Sequence, residues 1–275
     1  MDSIRYPVED FQHDKDKLQT KSVHAHGRKY TLKGPEKQAA PSKRVHQVLP
    51  ASIDLRKKGY CPAALDQGQL GACASNAMSN NLCFLLGKQG LPRFQPSRLA
   101  LYYNCRVNVE KEPADQDTGV SIGDLCTSVQ EYHACPEPDW PYDISKFAQA
   151  PPRRAVIDAA KHKGFSTKAV HQDLSSIKQC LNLGFPVILG IQVYDSFESQ
   201  AVADTGLVPM PDTDNENCQG GHAQCLYGYD DEKQAFLSQN SWGSDWGING
   251  FSWIPYKYIC DPDLASDMWT VQSFS

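Results

Sequence analysis

The hydrophobic pattern of this chain changes period along its length, and that change limits the folds open to it. In the first half, apolar residues recur at spacings of three and four. Ala74, Ala77, Met78, Leu82, Leu85 and Leu86 fall on one helical face, which predicts a helix over 73–86 ended by Gly87 and Gly90. Ser97, after Pro96, reads as the cap of a second helix, and 121–135 reads as a third before the proline-rich stretch at 136–141. In the second half, short β-branched runs take over at 169–170, 186–193, 222–229 and 235–239. A short helix over 175–183 and a hairpin turn at 230–233 punctuate them. Helices first and strands afterwards imply an α+β fold of two lobes. A helical lobe is expected over about 62–150, and a strand-rich, barrel-like lobe over about 151–275.

Composition narrows the class. The chain has 275 residues, 40% hydrophobic and 21% charged, which is ordinary globular usage and excludes a wholly disordered chain. No apolar run approaches the roughly 20 residues of a membrane-spanning helix, so no membrane partner is expected. The net charge of −5 argues against nucleic acid as a partner. That charge is unevenly spread. Residues 1–49 hold 10 basic and 6 acidic side chains, leaving 17 basic and 26 acidic for the rest. Residues 1–48 thus form a basic, polar segment, interrupted by Gly34, Pro35 and Pro41, ahead of an acidic body at 49–275. It reads as extended or irregular, with His13, His24, His26 and His46 as ordinary polar residues of the segment. The N-terminus lacks the apolar core of a signal peptide, and compartment stays open between secreted and intracellular.

Ten cysteines are present, with no Cys-x-x-Cys pair, so the usual structural zinc and redox spacings are missing. His222 and Cys225 lie three apart, which a strand sends to opposite faces, so no metal is expected there. The acidic run at 212–217 has the composition but not the spacing of a calcium loop, and reads as solvated. No cofactor is called for.

Chemistry concentrates in three stretches. The first is Asp66-Gln67-Gly68-Gln69-Leu70-Gly71-Ala72-Cys73, a glycine-rich loop that delivers a cysteine to the first turn of a predicted helix. Unpaired N–H groups and the positive end of the helix dipole favour a thiolate there, and the glycines allow close approach of backbone to whatever the sulfur attacks. The second is Gln219-Gly220-Gly221-His222-Ala223, with the histidine at the start of a predicted strand. The third is Asn240-Ser241-Trp242-Gly243-Ser244-Asp245-Trp246-Gly247-Ile248-Asn249-Gly250, in which an asparagine could hold an imidazole.

Together these stretches resemble the papain family of cysteine peptidases, from about Leu49 to the C-terminus. Gln67 precedes Cys73 by 6 residues, and His222 follows it by 149, within the roughly 130–150 that such enzymes show. The run Ser97-Arg98-Leu99-Ala100-Leu101-Tyr102-Tyr103-Asn104 is similar to bacterial members. The resemblance implies a papain-like fold with the cleft between the lobes. It implies thiol-dependent endopeptidase activity on peptide or protein substrates, by a monomer. Cys73 would be the nucleophile, His222 its proton partner and Asn240 the orienter of the imidazole. Gln67 would hold the oxyanion together with the Cys73 N–H. Trp242 would shield the Asn–His bond, and Gly71 and Gly119 would line the substrate. Leu70 stands where plant and animal members carry a cysteine, so the family's common first disulfide is absent, and Ala74 replaces the tryptophan that usually follows the nucleophile.

The long helical propeptide of the family has no counterpart in residues 1–48. Their charge, opposite to that of the body, suggests an arm that lies along the cleft and restricts access. A catalytically inactive peptide-binding relative, or an acyl transferase using the same thiol, are the alternatives.

Overall fold

The computed structural model describes residues 22–25, 28–31 and 48–274. The expected first helix forms as α1, Cys73–Lys88, but it is not amphipathic: every residue from Cys73 to Leu86 is buried. Several of its polar side chains bond to other parts of the protein. Ser79 Oγ donates to Pro96 O (2.6 Å), Asn80 Nδ2 to Ala63 O (3.0 Å) and Gln239 Oε1 (2.9 Å), and Asn81 Nδ2 to Pro186 O (3.2 Å). Buried amides of this kind are tolerated because each finds a partner. They bolt α1 to both halves of the molecule. Gly87, read from sequence as a stop, lies within the helix, where a Cβ would stand 2.5 Å from Tyr60 Cβ and only glycine leaves room for that ring.

The Ser97 cap read from the sequence forms, and Ser121 caps the next helix in the same way. α2 spans Arg98–Tyr103, with Ser97 Oγ accepting from Ala100 N (3.2 Å), and α3 spans Ile122–Tyr132, with Ser121 Oγ accepting from Asp124 N (3.1 Å). Between them Asn104–Val109 forms a π-helical turn. α4 (Arg153–Ala159), α5 (Leu174–Asn182), α6 (Gln200–Thr205) and α7 (Tyr256–Cys260) are short.

The strands are β1 (Ser22–Ala25), β2 (Arg28–Thr31), β3 (Ser52–Asp54), β4 (Ser166–Ala169), β5 (Val187–Tyr194), β6 (Cys218–Asp230), β7 (Ala235–Gln239), β8 (Phe251–Pro255) and β9 (Ala265–Ser273). They form one sheet, with the order β2-β1-β6-β5-β9-β4; β7 extends from β6, β8 from β7, and β3 pairs with β6. β8, α7 and β9 were not foreseen. β1 and β2 pair antiparallel within the segment read as extended or irregular, and β1 meets β6 at Ala25↔Gly221. The rest of residues 1–47, including His13, His26 and His46, lies outside the described residues. The main apolar core runs from α1, α2 and α3 into β5, β6, β7 and β9, so the helix-rich and strand-rich halves share an interior; Ala100, Cys135, Ala155 and Ala159 form a small second cluster.

Candidate active site

Two backbone connections bring the three sequence stretches together. Gln67 N donates to Ser241 O (2.9 Å) and Gly243 N to Leu65 O (3.0 Å), which lays the loop before α1 against the loop after β7. β6 then supplies the histidine. Cys225 pairs with Gln239 across β6 and β7, so the chain leaving β7 sets out from beside the part of β6 that holds His222. His222 is four residues inside β6 rather than at its start.

The His222–Asn240 contact has a defined polarity. Ser241 N donates to Asn240 Oδ1 (2.8 Å), which identifies that atom as the oxygen. His222 Nε2 lies 2.7 Å from the same oxygen. An amide oxygen only accepts, so Nε2 carries the proton and, in the neutral imidazole, Nδ1 is the basic nitrogen. The Trp242 indole stacks on the imidazole with centroids 5.0 Å apart and planes at 28°. Trp246 meets Trp242 edge-on at 5.4 Å, and Phe197 packs on both. This aromatic wall dries one side of the ring, and His222 and Asn240 are only 4% and 3% exposed.

Gln67 is held at both ends of its amide. Ser241 Oγ donates to Gln67 Oε1 (2.6 Å), and Gln67 Nε2 donates to Leu70 O (3.1 Å). Its backbone oxygen accepts from Tyr142 Oη (2.8 Å). The amide plane is thereby fixed before any ligand arrives.

Cys73 opens α1, where Ala72 occupies the cap position and no side chain caps the helix. The N–H groups of Ala223, Ala74 and Cys73 itself face the sulfur and favour its ionised form. Burial outweighs them, and the nearby Asp117 charge adds to it, so the thiol is pushed up to about 11. The N–H groups at the helix start therefore do favour the thiolate, as read from the sequence, but burial works against them. The backbone N–H of Ala223 reaches the thiol, which places Cys73 against the residue that follows His222.

The remaining expected residues lie at the same place. Gly71 N donates to Asp117 Oδ2 (2.9 Å) and Oδ1 (3.2 Å). Gly119 is buried, with φ +68°, and its N–H goes to Tyr102 Oη (3.1 Å). Ser241, Asp117, Tyr102 and Tyr142 are the residues that sequence reasoning gave no role here. Ser241 had a signal, its place directly after Asn240; the others act across 15 to 75 residues. All ten cysteines are free thiols, Cys61 included. Among the described residues, no group of three His, Cys, Asp or Glu side chains gathers as a metal site.

Residues 49–268 match the family model of the papain family cysteine proteases. The chain belongs to the papain family of cysteine proteases. Its cysteine-peptidase class and papain-like fold follow from that membership and from the family members it resembles. An uncharacterized peptidase C1-like protein of Acanthamoeba polyphaga mimivirus is 38% identical over 238 residues, covering 82% of this chain and 76% of its own length. The crystal structure of xylellain, a cysteine protease from Xylella fastidiosa, superposes with a TM-score of 0.77 at 31% identity, over 92% of this chain and 97% of that one. Human cathepsin L2 is 24% identical over 217 residues, 74% of this chain and 60% of the cathepsin. The likeness to xylellain agrees with the bacterial character read in residues 97–104.

Proposed function

We propose that this papain-family protein is an endopeptidase that cleaves peptide bonds through a thioester formed on Cys73. The observation that carries the reading is the His222 Nε2 to Asn240 Oδ1 bond of 2.7 Å, its polarity set by the Ser241 N–H. It makes Nδ1 the base for Cys73, the thiol that opens α1. Nδ1 takes the Cys73 proton, and the sulfur attacks the scissile carbonyl carbon. The oxyanion is held by Gln67 Nε2 and the Cys73 N–H. The imidazolium protonates the leaving amine, the C–N bond breaks, and a thioester remains. Water, deprotonated by His222, then releases the acid and restores the thiol. Gly71 and Gly119 line the substrate chain, Gly119 through its carbonyl side.

The N-terminal segment restricts access to this site. Two observations support that role. β1 pairs with β6 at Gly221, the residue before His222, so extended backbone lies directly beside the catalytic strand. The segment is also basic where the body is acidic.

The test is hydrolysis of a fluorogenic dipeptide-amide panel by the full chain, a chain starting at Leu49, and Cys73→Ala. Turnover that rises on truncation and vanishes in the variant is the expected result. Hydrolysis that survives in Cys73→Ala overturns the thiol mechanism, and equal rates in the first two overturn the restricting role. Gln67→Ala should cost about 10²–10³ in rate.

A further inference from the structure

The loop between α2 and α3 is gripped by a buried cation. Arg106 sits in the π-helical turn and is fully buried. Its guanidinium donates to Pro113 O (3.1 Å), Ala114 O (2.9 Å), Gln116 O and Phe147 O (2.8 Å), between the rings of Tyr102 and Phe147. Planar, forked donors suit such a cluster of carbonyls. The backbone is thereby fixed as far as Gln116, and the next residue is Asp117. Tyr102 Oη donates to Asp117 Oδ1 and accepts from Gly119 N, so the hydroxyl clamps both ends of the 117–119 turn. The carboxylate then accepts from Gly71 N, 46 residues away in sequence.

Gly71 N–H and Leu70 C=O are the two ends of one peptide plane. A planar peptide that is held by its N–H has its C=O aimed as well. Leu70 O is the acceptor for Gln67 Nε2 (3.1 Å) and for Ala72 N (2.7 Å). The carboxylate thus fixes, through one rigid unit, the anchor on which the Gln67 amide rests.

Building on the assignment of Gln67 to the oxyanion, we infer that Asp117 is a positioning residue of the peptidase: it locks the Leu70–Gly71 peptide so that the Gln67 amide is pre-aimed. Arg106 and Tyr102 are the parts that hold Asp117 in place. Asp117 itself is exposed, which opens the positioning role to measurement by substitution.

The experiment compares Asp117→Leu with Asp117→Asn, in the wild type and in Gln67→Ala. It reads kcat and KM on a fluorogenic peptide amide and the rate at which iodoacetamide alkylates Cys73. Asp117→Leu should lower kcat about 10-fold, part of the 10²–10³ lost with a whole oxyanion donor, while KM moves less than about threefold. Asp117→Asn, which still offers an oxygen to Gly71 N–H, should restore most of kcat. In Gln67→Ala, Asp117→Leu should change kcat less than about twofold, the non-additivity of residues acting as one unit. Alkylation needs no oxyanion site and should be no slower, since the Asp117 charge disfavours the thiolate. An unchanged kcat, full additivity with Gln67→Ala, or alkylation falling in parallel with kcat overturns the proposal. Should Asp117→Leu not fold, Tyr102→Phe in the same cycle replaces it, with a smaller loss of the same kcat-only kind expected and additivity again fatal. Turnover surviving Cys73→Ala is a separate outcome, failing the peptidase assignment before any Asp117 variant is read.

Discussion

The Ser241 hydroxyl donates to Gln67 Oε1 across 2.6 Å and 174 residues of sequence. The same residue's N–H donates to Asn240 Oδ1. One serine therefore sets the orientation of two amides, one that aims the imidazole and one assigned to the oxyanion. Ser241→Ala should let the Gln67 amide turn, and kcat should fall about 10-fold, part of what a lost oxyanion donor costs. KM should move little, because the hydroxyl aims at Gln67 rather than at the substrate. Steady-state kinetics with an amide substrate check this.

Asn240→Ala removes the acceptor that keeps the proton on His222 Nε2. The imidazole then populates the other tautomer and swings within its aromatic wall. A kcat loss of about 10²-fold is expected, the lower end of what general acid–base groups contribute. Thermal unfolding of the variant, measured beside the kinetics, should change far less than activity does.

Gly250 couples the fold to the site. Its carbonyl accepts from Asn240 N (2.9 Å), its φ is +81°, and an added Cβ would stand 2.1 Å from Ala64 Cβ. Gly250→Ala combines a left-handed backbone penalty of about 1–2 kcal/mol with overpacking of about 1–3 kcal/mol. Urea unfolding should show a loss of more than about 2 kcal/mol. The folded fraction should also turn over more slowly, because Asn240 is displaced with the loop.

The residues proposed for the site lie in short contiguous motifs that the structure brings together. Cys73, His222, Asn240 and Gln67 each sit in a run whose spacing and glycine content are visible without a structure. The Ser97 cap and β7, whose five residues are all buried, were also legible in the sequence. What escaped was decided by packing. α1 read as amphipathic because its asparagines and serines look like a solvent face, yet all of them are buried, and Ser79, Asn80 and Asn81 bond to distant segments. Gly87 read as a stop because Tyr60, which needs that glycine, lies outside the helix. β9 hides because buried Ser266 and Thr270 break its apolar alternation. Arg106 binds backbone carbonyls, which no side-chain pattern marks.

The central claim is that Cys73 is activated by His222, and the most direct test is the pH dependence of Cys73 alkylation, mapped by mass spectrometry. Burial holds the thiol at about 11, so without a partner only on the order of one in 10⁴ would be ionised at pH 7. Peptide mapping separates the Cys73 label from any on the other nine free cysteines. The wild type should react readily near pH 7. In His222→Ala the rate should be low there and climb about tenfold per pH unit towards 11. Matching profiles for the two proteins would contradict the account.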